Sequence, residues 1–284
     1  MKFTKMEGAG NDYVYVDARH IDMDWSSLSR EISDRHFGVG GDGLILIMDS
    51  SVADLRMVMF NADGSEGAMC GNGIRCLAKY AIDRNIVKNK ASGITIETMS
   101  GIRTVIPGFE NGKITRATVA MGIPELKVGN IPVEPAIGLG TNLGEATVRY
   151  PITVDGINLE LSFVSMGNPH AIVFLDQPVE EFPLHSIGPK IEHHKIFPDR
   201  VNFEIVNIIG PNKLAARVWE RGSGETMACG TGACAIAVTA NILDICTGPV
   251  DITLPGGSLT IDWDGTGEVF MEGPAREVFS GDWN

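Results

Sequence analysis

The chain contains the same short motif twice. Residues 69–73 read Met-Cys-Gly-Asn-Gly, and residues 228–232 read Ala-Cys-Gly-Thr-Gly. Each copy places a cysteine on a Gly-x-Gly turn, and each turn leads into a segment that is typical of a buried helix. If the chain is an internal duplication, the two cysteines occupy equivalent positions, and their sulfurs can face each other across one pocket.

Five further pairs of segments repeat in the same order, which chance does not explain. The pairs are Gly10–Asp12 with Gly167–Pro169, Leu55–Asn61 with Leu214–Glu220, Gly64–Glu66 with Gly222–Glu225, Thr95–Gly101 with Asp251–Gly257, and Met121–Pro124 with Met271–Pro274. The order predicts two pseudo-symmetric domains. We expect an N-terminal domain of residues 1–122 plus about 275–284, and a C-terminal domain of residues 123–274.

Two helices follow the cysteines. After Cys70, apolar residues recur at the spacing of an amphipathic helix, from Ile74 to Ile82. After Cys229, the segment Ala233–Leu243 is apolar nearly all round, which is typical of a fully buried helix. A sheet wrapped around each helix would bury it.

Most other segments alternate or run apolar between glycines and prolines, and they predict strands. The predicted strands are Tyr13–Asp17, Leu44–Met48, Leu55–Phe60, Ile94–Thr98, Ile102–Ile106, Ile114–Ala120, Thr147–Val154, Leu159–Ser165, Ala171–Leu175, Val201–Val206, Leu214–Trp219, Val250–Leu254, Leu259–Trp263 and Val269–Glu272. A last strand, within Ala275–Trp283, is expected to return to the N-terminal domain.

Composition excludes several classes of protein. The 284 residues carry a formal net charge of −13, so a nucleic-acid or anionic-membrane partner is not expected. No signal peptide or membrane-length apolar run is recognisable, and we expect a cytoplasmic protein whose five cysteines are reduced.

A cysteine at a helix N-terminus has a defined chemistry. Unpaired backbone N–H groups and the positive end of the helix dipole stabilise a thiolate, and they also bind a carboxylate. Two such cysteines in one pocket could remove a proton from one face of a carbon and return one to the other face. That chemistry needs no cofactor in principle, and no metal site is predicted.

Longer motifs resemble one known family, the diaminopimelate epimerases, over essentially the whole chain. The matching segments are Met6–Asp12, Phe60–Glu66, Cys70–Cys76, Met166–His170, Arg200–Glu204 and Trp219–Thr226, the last running on into Ala228–Gly232. The resemblance implies epimerisation of LL-diaminopimelate to meso-diaminopimelate by two cysteines, without pyridoxal phosphate, on the route to lysine and peptidoglycan. It implies an α+β fold of two pseudo-symmetric domains, each a mostly antiparallel sheet or barrel around a central helix, and a homodimer.

The resemblance also assigns residues by motif. Cys70 and Cys229 correspond to the two catalytic acid/base residues. The substrate-binding positions are Asn11, Asn61, Gly71, Asn72, Asn168, Asn202, Glu220, Arg221, Gly230 and Thr231. One departure concerns Gly43, because many family members carry a substrate-contacting Gln at this position. Glycine has no side chain for that role, so position 43 is not assigned.

Two alternatives remain at this point. Another two-cysteine racemase or isomerase of the same fold is one, although proline racemases carry a His after the first Cys-Gly where this chain has Asn72. A non-catalytic amino-acid-binding protein is the other, but it would not need both thiols. His170 either lies near the thiols and tunes them, or holds the Gly-Asn-Pro turn.

Overall fold

The computed structural model describes residues 1–88, 92–136 and 138–284. The strands and helices in chain order are β1 (Lys2–Gly8), β2 (Asn11–Asp17), α1 (Trp25–Ile32), β3 (Gly43–Met48), β4 (Leu55–Asn61), β5 (Glu66–Gly67), α2 (Gly71–Asp83), β6 (Ile94–Thr98), β7 (Gly101–Glu110), β8 (Lys113–Gly122), β9 (Thr141–Leu143), β10 (Ala146–Val148), β11 (Tyr150–Val154), β12 (Ile157–Ser165), β13 (Pro169–Leu175), α3 (Leu184–Glu192), β14 (Asn202–Gly210), β15 (Lys213–Glu220), β16 (Gly224–Thr226), α4 (Gly230–Ile242), β17 (Val250–Leu254), β18 (Gly257–Asp262), β19 (Val269–Pro274) and β20 (Arg276–Asp282).

These elements form two compact units. The first comprises Met1–Ala120 together with Glu272–Asn284, and the second comprises Met121–Met271. The division into evolutionary domains that the sequence suggests stays a prediction, since the units are defined by packing alone.

In the first unit, the strands pair in the order β20, β1, β2, β3, β4, β6 and β7. The successive pairings are antiparallel, antiparallel, parallel, antiparallel, parallel and antiparallel. In the second unit, β11, β12, β13, β14, β15, β17 and β18 pair with the same series of directions. The repeated topology confirms the predicted α+β fold of two pseudo-symmetric halves.

The sheet of each unit has a helix against each face. In the first unit, α2 packs on β1, β2, β3 and β7, and α1 packs on β3 and β4. Strand β3 is therefore buried on both sides: Leu44 and Leu46 join the core beneath α1, while Ile45 reaches the first turn of α2 at Gly73. In the second unit, α4 contacts β12, β13, β14 and β18, and α3 covers β14 and β15.

The predicted strand Thr147–Val154 is wrong as a single element. The structure ends β10 at Val148 and begins β11 at Tyr150, because Arg149 between them has a left-handed backbone with φ of 52°. The sequence analysis also missed α1 and α3. Helix α1 has a recognisable signal, since the Asp24 side chain caps it by accepting from Ser27 N. Helix α3 is obscured by the internal Pro189.

Gly43 begins β3 at a position where the backbone leaves no room for a side chain. Its φ is +158°, and a Cβ atom would lie 2.1 Å from the carbonyl oxygen of Phe60 on the neighbouring strand β4. The contact is with backbone that is held in the antiparallel ladder, where Gly43 pairs with Asn61. A larger residue at position 43 therefore requires a different path for β3 or β4.

We expect Gly43→Ala to lower the free energy of unfolding by about 2–4 kcal/mol, because the new methyl group overlaps the Phe60 carbonyl oxygen. Urea denaturation followed by circular dichroism measures the change. Gly112→Ala is the control, since Gly112 also has positive φ but an added Cβ would have no described residue within 4 Å. The control should cost about 1–2 kcal/mol, from backbone strain alone. An equal cost for both variants would contradict the steric explanation.

Candidate active site

Each cysteine of the repeated motif caps a buried helix. Cys70 and Cys229 have extended backbones, and their sulfurs accept hydrogen bonds from Gly73 N at 3.4 Å and Gly232 N at 3.3 Å. This confirms the predicted helix starts at both cysteines. The first N–H groups of α2 and α4 lie in the same turns, where an α-helix leaves donors without intrahelical partners. Each turn thus combines a sulfur with backbone donors suited to an anion.

Asn11 lies beside Cys70 in the first unit. The Cys70 thiol donates to Asn11 Oδ1 at 3.0 Å, and Asn72 Nδ2 approaches the same oxygen at 3.5 Å. Asn11 Nδ2 donates to the Asp42 carboxylate. Because a carboxylate can only accept, Asp42 fixes the orientation of the Asn11 amide and leaves its carbonyl oxygen facing Cys70.

A charged network holds Asp42 in turn. Arg35 bridges Asp12 at 2.7 Å and Asp42 at 2.9 Å, and Lys5 pairs with Asp12 at 2.6 Å. Asp42 also accepts from Asp12 N at 3.0 Å. This network was not predicted from the sequence, although the departure at the neighbouring Gly43 was noted.

Two tyrosines continue the face of β2 that starts at Asn11. Tyr15 donates to the carbonyl of Gly73 at 2.9 Å, and Tyr13 interacts with Cys70 and Asn11. Burial raises the pKa of both phenols, and the nearby Cys70 raises the pKa of Tyr13 further. Alternate residues of one strand therefore line the first turn of α2. The sequence analysis placed these residues on a strand but assigned them no role.

Arg75 stabilises the first turn of α2. Its side chain is fully buried, and it donates to Gly71 O at 3.2 Å, Asn72 Oδ1 at 3.0 Å and Pro274 O at 3.1 Å. Burial lowers the pKa of the Arg75 guanidinium. Asn72, predicted as a substrate contact, is itself buried, and its side-chain oxygen is committed to Arg75.

Asn61 occupies the end of β4, where it closes a turn. Its Nδ2 donates to Ser65 Oγ at 3.0 Å and its N–H donates to Ser65 O at 2.8 Å. The structure thus brings Asn11, Cys70, Gly71 and Asn72 together at the start of α2. The turn of Asn61 approaches that group through Ala62, whose N–H donates to Asp42 O at 3.2 Å.

Cys229 lies in a different environment in the second unit. Its sulfur is 3.5 Å from Thr231 Oγ1, and Asn168 Nδ2 donates to the same hydroxyl at 3.3 Å. Burial raises the pKa of Cys229 well above its ordinary range, and the Glu220 and Glu204 carboxylates raise it further. The Thr231 hydroxyl and Gly232 N–H oppose that shift by favouring the thiolate.

Glu220 contacts Cys229 directly. Burial raises the pKa of Glu220, while hydrogen bonds with Thr226 and Cys229 partly offset that shift. Thr226 Oγ1 donates to Glu220 Oε1 at 2.6 Å. Glu220, predicted only as a substrate contact, is therefore also placed to accept the proton of the Cys229 thiol.

His170 forms a buried pair with Glu204. Both side chains are inaccessible to solvent, and His170 Nδ1 lies 2.7 Å from Glu204 Oε1. His170 Nε2 lies 3.1 Å from Asn168 Oδ1. Thus His170 both contacts the residue that follows the Gly167 turn and connects, through Asn168, to Thr231. Glu204 lies within the matched segment Arg200–Glu204, but nothing in its sequence context indicated a partner.

Asn202 and Arg221 form the remaining predicted group. Asn202 Nδ2 donates to Pro169 O and Asn202 Oδ1 accepts from Arg221 N, both at 2.9 Å. Arg221 Nη1 donates to Asp199 O at 3.1 Å. Buried Glu192 holds the adjoining turn, because it accepts from Trp219 Nε1 at 2.8 Å and Gly222 N at 2.9 Å. Asn202 is thus committed to backbone groups, and Arg221 is set on an anchored turn.

Among residues 1–88, 92–136 and 138–284, no group of three or more His, Cys, Asp or Glu side chains is arranged to hold a metal ion.

The raised pKa of Glu220 predicts a pH dependence of stability. The folded protein keeps a proton on Glu220 at pH values where the unfolded chain, with a pKa near 4.5, has released it. Stability is therefore lost as pH rises from about 4.5 through the folded pKa. We expect Glu220→Gln to reduce this loss, as measured by urea denaturation at a series of pH values.

Glu225→Gln is the control with the opposite sign. The Arg217 guanidinium, 2.7 Å away, lowers the pKa of Glu225, so its stabilisation is present at neutral pH and is lost on acidification. Equal slopes for wild type and Glu220→Gln between pH 5 and 8 would contradict the role of burial at Glu220.

Solved structures with the same fold come from several enzymes. A phenazine biosynthesis protein of the PhzF family from Bacillus anthracis matches with a TM-score of 0.71 at 17% identity, covering 99% of this chain and 98% of that chain. A hydroxyproline epimerase from Agrobacterium vitis matches with a TM-score of 0.67 at 13% identity, covering 99% and 91%. At these identities, the comparison establishes the fold alone.

Sequence relatives are much closer. The family model described as diaminopimelate epimerase matches residues 3–127 and 162–278. A diaminopimelate epimerase from Desulfovibrio desulfuricans is 48% identical, with 100% of this chain and 98% of that protein covered. A diaminopimelate epimerase from Methanococcus maripaludis is 47% identical, with 99% of each covered. The chain therefore belongs to the diaminopimelate epimerase family.

Proposed function

We propose that this protein is an isomerase that converts LL-2,6-diaminopimelate to meso-diaminopimelate by proton transfer at Cα. One observation carries the proposal: in a chain that belongs to this family, each repeated half places a cysteine sulfur at the N-terminus of a buried helix. The reaction uses thiol and thiolate groups and requires no cofactor in principle.

The proposed reaction inverts one carbon in two proton transfers. One cysteine, as thiolate, removes the Cα proton and becomes a thiol, leaving the electron pair on the carbon and its carboxylate. The other cysteine, as thiol, delivers a proton to the opposite face and becomes a thiolate. The N–H groups of Gly71, Asn72, Gly230 and Thr231 are the proposed donors that stabilise the extra charge on the carboxylate.

The surroundings of the cysteines support acid–base roles. The Cys70 thiol donates a hydrogen bond to the carbonyl oxygen of Asn11. Cys229 has a raised pKa but adjoins Glu220, whose carboxylate can take the thiol proton when Cys229 must act as the base. Each sulfur therefore has a neighbouring oxygen acceptor in its own unit.

We propose that the remaining polar residues recognise a substrate with two amino-acid ends. The side chains of Asn11, Asn61, Asn168 and Asn202 offer amide groups, and Glu220 offers a carboxylate for an ammonium group. Arg221 is the proposed partner of the distal carboxylate, since its guanidinium can bind a carboxylate through two hydrogen bonds. Shorter amino acids would leave such groups unpaired and are disfavoured for that reason.

The family resemblance places the reaction in lysine and peptidoglycan biosynthesis, and it predicts a cytoplasmic homodimer. Those assignments stay predictions. Within the part of the chain that the structure describes, no helix is long and apolar enough to cross a membrane.

The two-base mechanism predicts the behaviour of single-cysteine variants. In deuterated water, the wild type should exchange the Cα proton of LL-diaminopimelate and form the meso isomer. Cys70→Ala and Cys229→Ala should each lower epimerisation by about a hundredfold or more, because each lacks one of the two proton carriers. Proton NMR and chiral chromatography measure exchange and epimerisation separately.

Cys246→Ala is the matched control, because Cys246 is buried like Cys229 but lies after the C-terminal end of α4. Its epimerisation rate should remain near that of the wild type. No exchange by the wild type would remove the epimerase proposal. Full epimerisation by either alanine variant would remove the two-base mechanism.

The proposed role of Arg221 predicts a loss that depends on the substrate. Arg221→Met should lower kcat/KM for LL-diaminopimelate by about 10- to 100-fold, since a charged hydrogen-bonded pair is lost. Exchange at Cα of L-lysine, which lacks the distal carboxylate, should change little. Arg276→Met provides the control, because Arg276 is largely exposed on β20. Equal losses on both substrates would show that Arg221 does not bind the distal carboxylate.

A further inference from the structure

Glu204 is a fully buried carboxyl group for which neither the family motifs nor the proposed proton transfers provide a role. It lies on β14, next to β13, where His170 pairs with Asn202 and Ile172 pairs with Glu204. Its Oε1 bonds to His170, while its Oε2 is buried and has no hydrogen-bond partner among the described residues. An isolated carboxylate is costly in such a place, so this residue is expected to have a defined protonation state.

Glu204 also lies close to Cys229 and to Gly232. A Cβ atom at Gly232 would lie 2.8 Å from Glu204 Oε1 and 3.3 Å from Cys229 Sγ. The carboxyl oxygen therefore lies against the first turn of α4, close to the sulfur. Glycine at position 232 lets the helix and the carboxyl group approach this closely.

The His170–Glu204 pair holds a shared proton. The bond between Nδ1 and Oε1 contains one proton, whether the pair is an imidazolium with a carboxylate or an imidazole with a carboxylic acid. The other ring nitrogen, Nε2, faces the carbonyl oxygen of Asn168, which can only accept, so Nε2 carries a second proton. The pair is then electrically neutral, which suits a site where burial raises the pKa of Glu204.

This state sets the direction of the hydrogen bonds that follow. Asn168 accepts at Oδ1 from His170 and therefore donates through Nδ2 to Thr231 Oγ1. The Thr231 oxygen accepts that bond, and its own hydrogen is left for Cys229 Sγ at 3.5 Å. If the pair lost its proton, Nε2 would accept, the Asn168 amide would turn over, and the Thr231 hydrogen would point to Asn168 instead.

We propose that Glu204 is a positioning residue: through His170 and Asn168 it directs the Thr231 hydroxyl to donate to Cys229. The directed hydroxyl and Gly232 N–H then stabilise the Cys229 thiolate against burial and the Glu220 carboxylate. A second effect follows from the same proton, because the charge of Glu204 close to Cys229 is neutralised. The catalytic meaning of this role rests on the proposed function, but the hydrogen-bond direction can be measured without substrate.

The test is the rate at which iodoacetamide alkylates Cys229, resolved from the other cysteines by peptide mass spectrometry, across pH 6 to 10. Only the thiolate reacts, so the rate reports its population. We expect Glu204→Gln to slow alkylation about fivefold at neutral pH, because glutamine allows the hydrogen bonds from His170 through Asn168 to Thr231 to run in either direction. An electrostatic role alone predicts the opposite sign, since removal of a carboxylate would favour the thiolate and speed the reaction.

A double variant tests whether Glu204 acts on Cys229 through Thr231. Thr231→Val should slow alkylation by a similar factor, and adding Glu204→Gln to it should produce no further slowing. Thr231→Ser keeps the hydroxyl and should react like the wild type. Thr239→Val is the matched control on the same helix, since the Thr239 hydroxyl donates to Ala235 O and not to Cys229.

Faster alkylation in Glu204→Gln would overturn the proposal, and so would an undiminished effect of Glu204→Gln in the Thr231→Val background. If Glu204→Gln does not fold, the threonine variants decide alone: unchanged alkylation in Thr231→Val overturns the proposal. None of these measurements uses diaminopimelate. A protein that shows the expected alkylation pattern but no epimerisation would refute the proposed function and leave the hydrogen-bond chain intact.

Discussion

The capping of a buried helix by a cysteine sulfur is the interaction on which each half of this protein depends. A helix enclosed by a sheet cannot satisfy its first N–H groups with water, so a side chain or a ligand must do so. The sulfurs of Cys70 and Cys229 each accept a hydrogen bond from one of these N–H groups, those of Gly73 and Gly232. The cap that begins each helix also places backbone N–H groups beside a thiol. The same cysteine therefore serves both the fold and the proposed chemistry.

The side chains around the two capping cysteines, Cys70 and Cys229, give the sulfurs different hydrogen-bond partners. In the first unit, the Asp42 carboxylate orients Asn11 so that its carbonyl oxygen accepts a hydrogen bond from the Cys70 thiol. In the second unit, the His170–Glu204 pair orients Asn168 so that its Nδ2 donates to Thr231. The hydrogen of the Thr231 hydroxyl is then left for Cys229. Asn11 and Asn168 are equivalent in the repeat. Their different orientations give the two similar thiols different hydrogen-bond partners.

Close packing enforces these arrangements. Gly43, Gly73 and Gly232 lie where a side chain would meet Phe60 O, Ile45 Cδ1 or Glu204 Oε1. Arg75 and Glu192 are buried polar side chains whose hydrogen bonds hold the turn of Cys70 and the turn of Arg221. Buried polar groups tolerate little change of geometry, because each lost partner leaves an unsatisfied group in the core.

The sequence by itself determined the duplication, the helix starts at Cys70 and Cys229, most of the strands and the family. The duplication and the elements follow from repeated motifs and local periodicity, which one chain displays directly, whereas the family follows from the resemblance of longer motifs to a known family. It missed α1 and α3, and it joined β10 to β11 because a left-handed Arg149 leaves no signature in an apolar pattern. Only the tertiary structure brings Asp42 into contact with Asn11, Glu220 into contact with Cys229, and Glu204 close to the first turn of α4. Those partners lie in separate segments of the chain, and their contacts depend on how separate elements pack, which no local pattern of residues encodes.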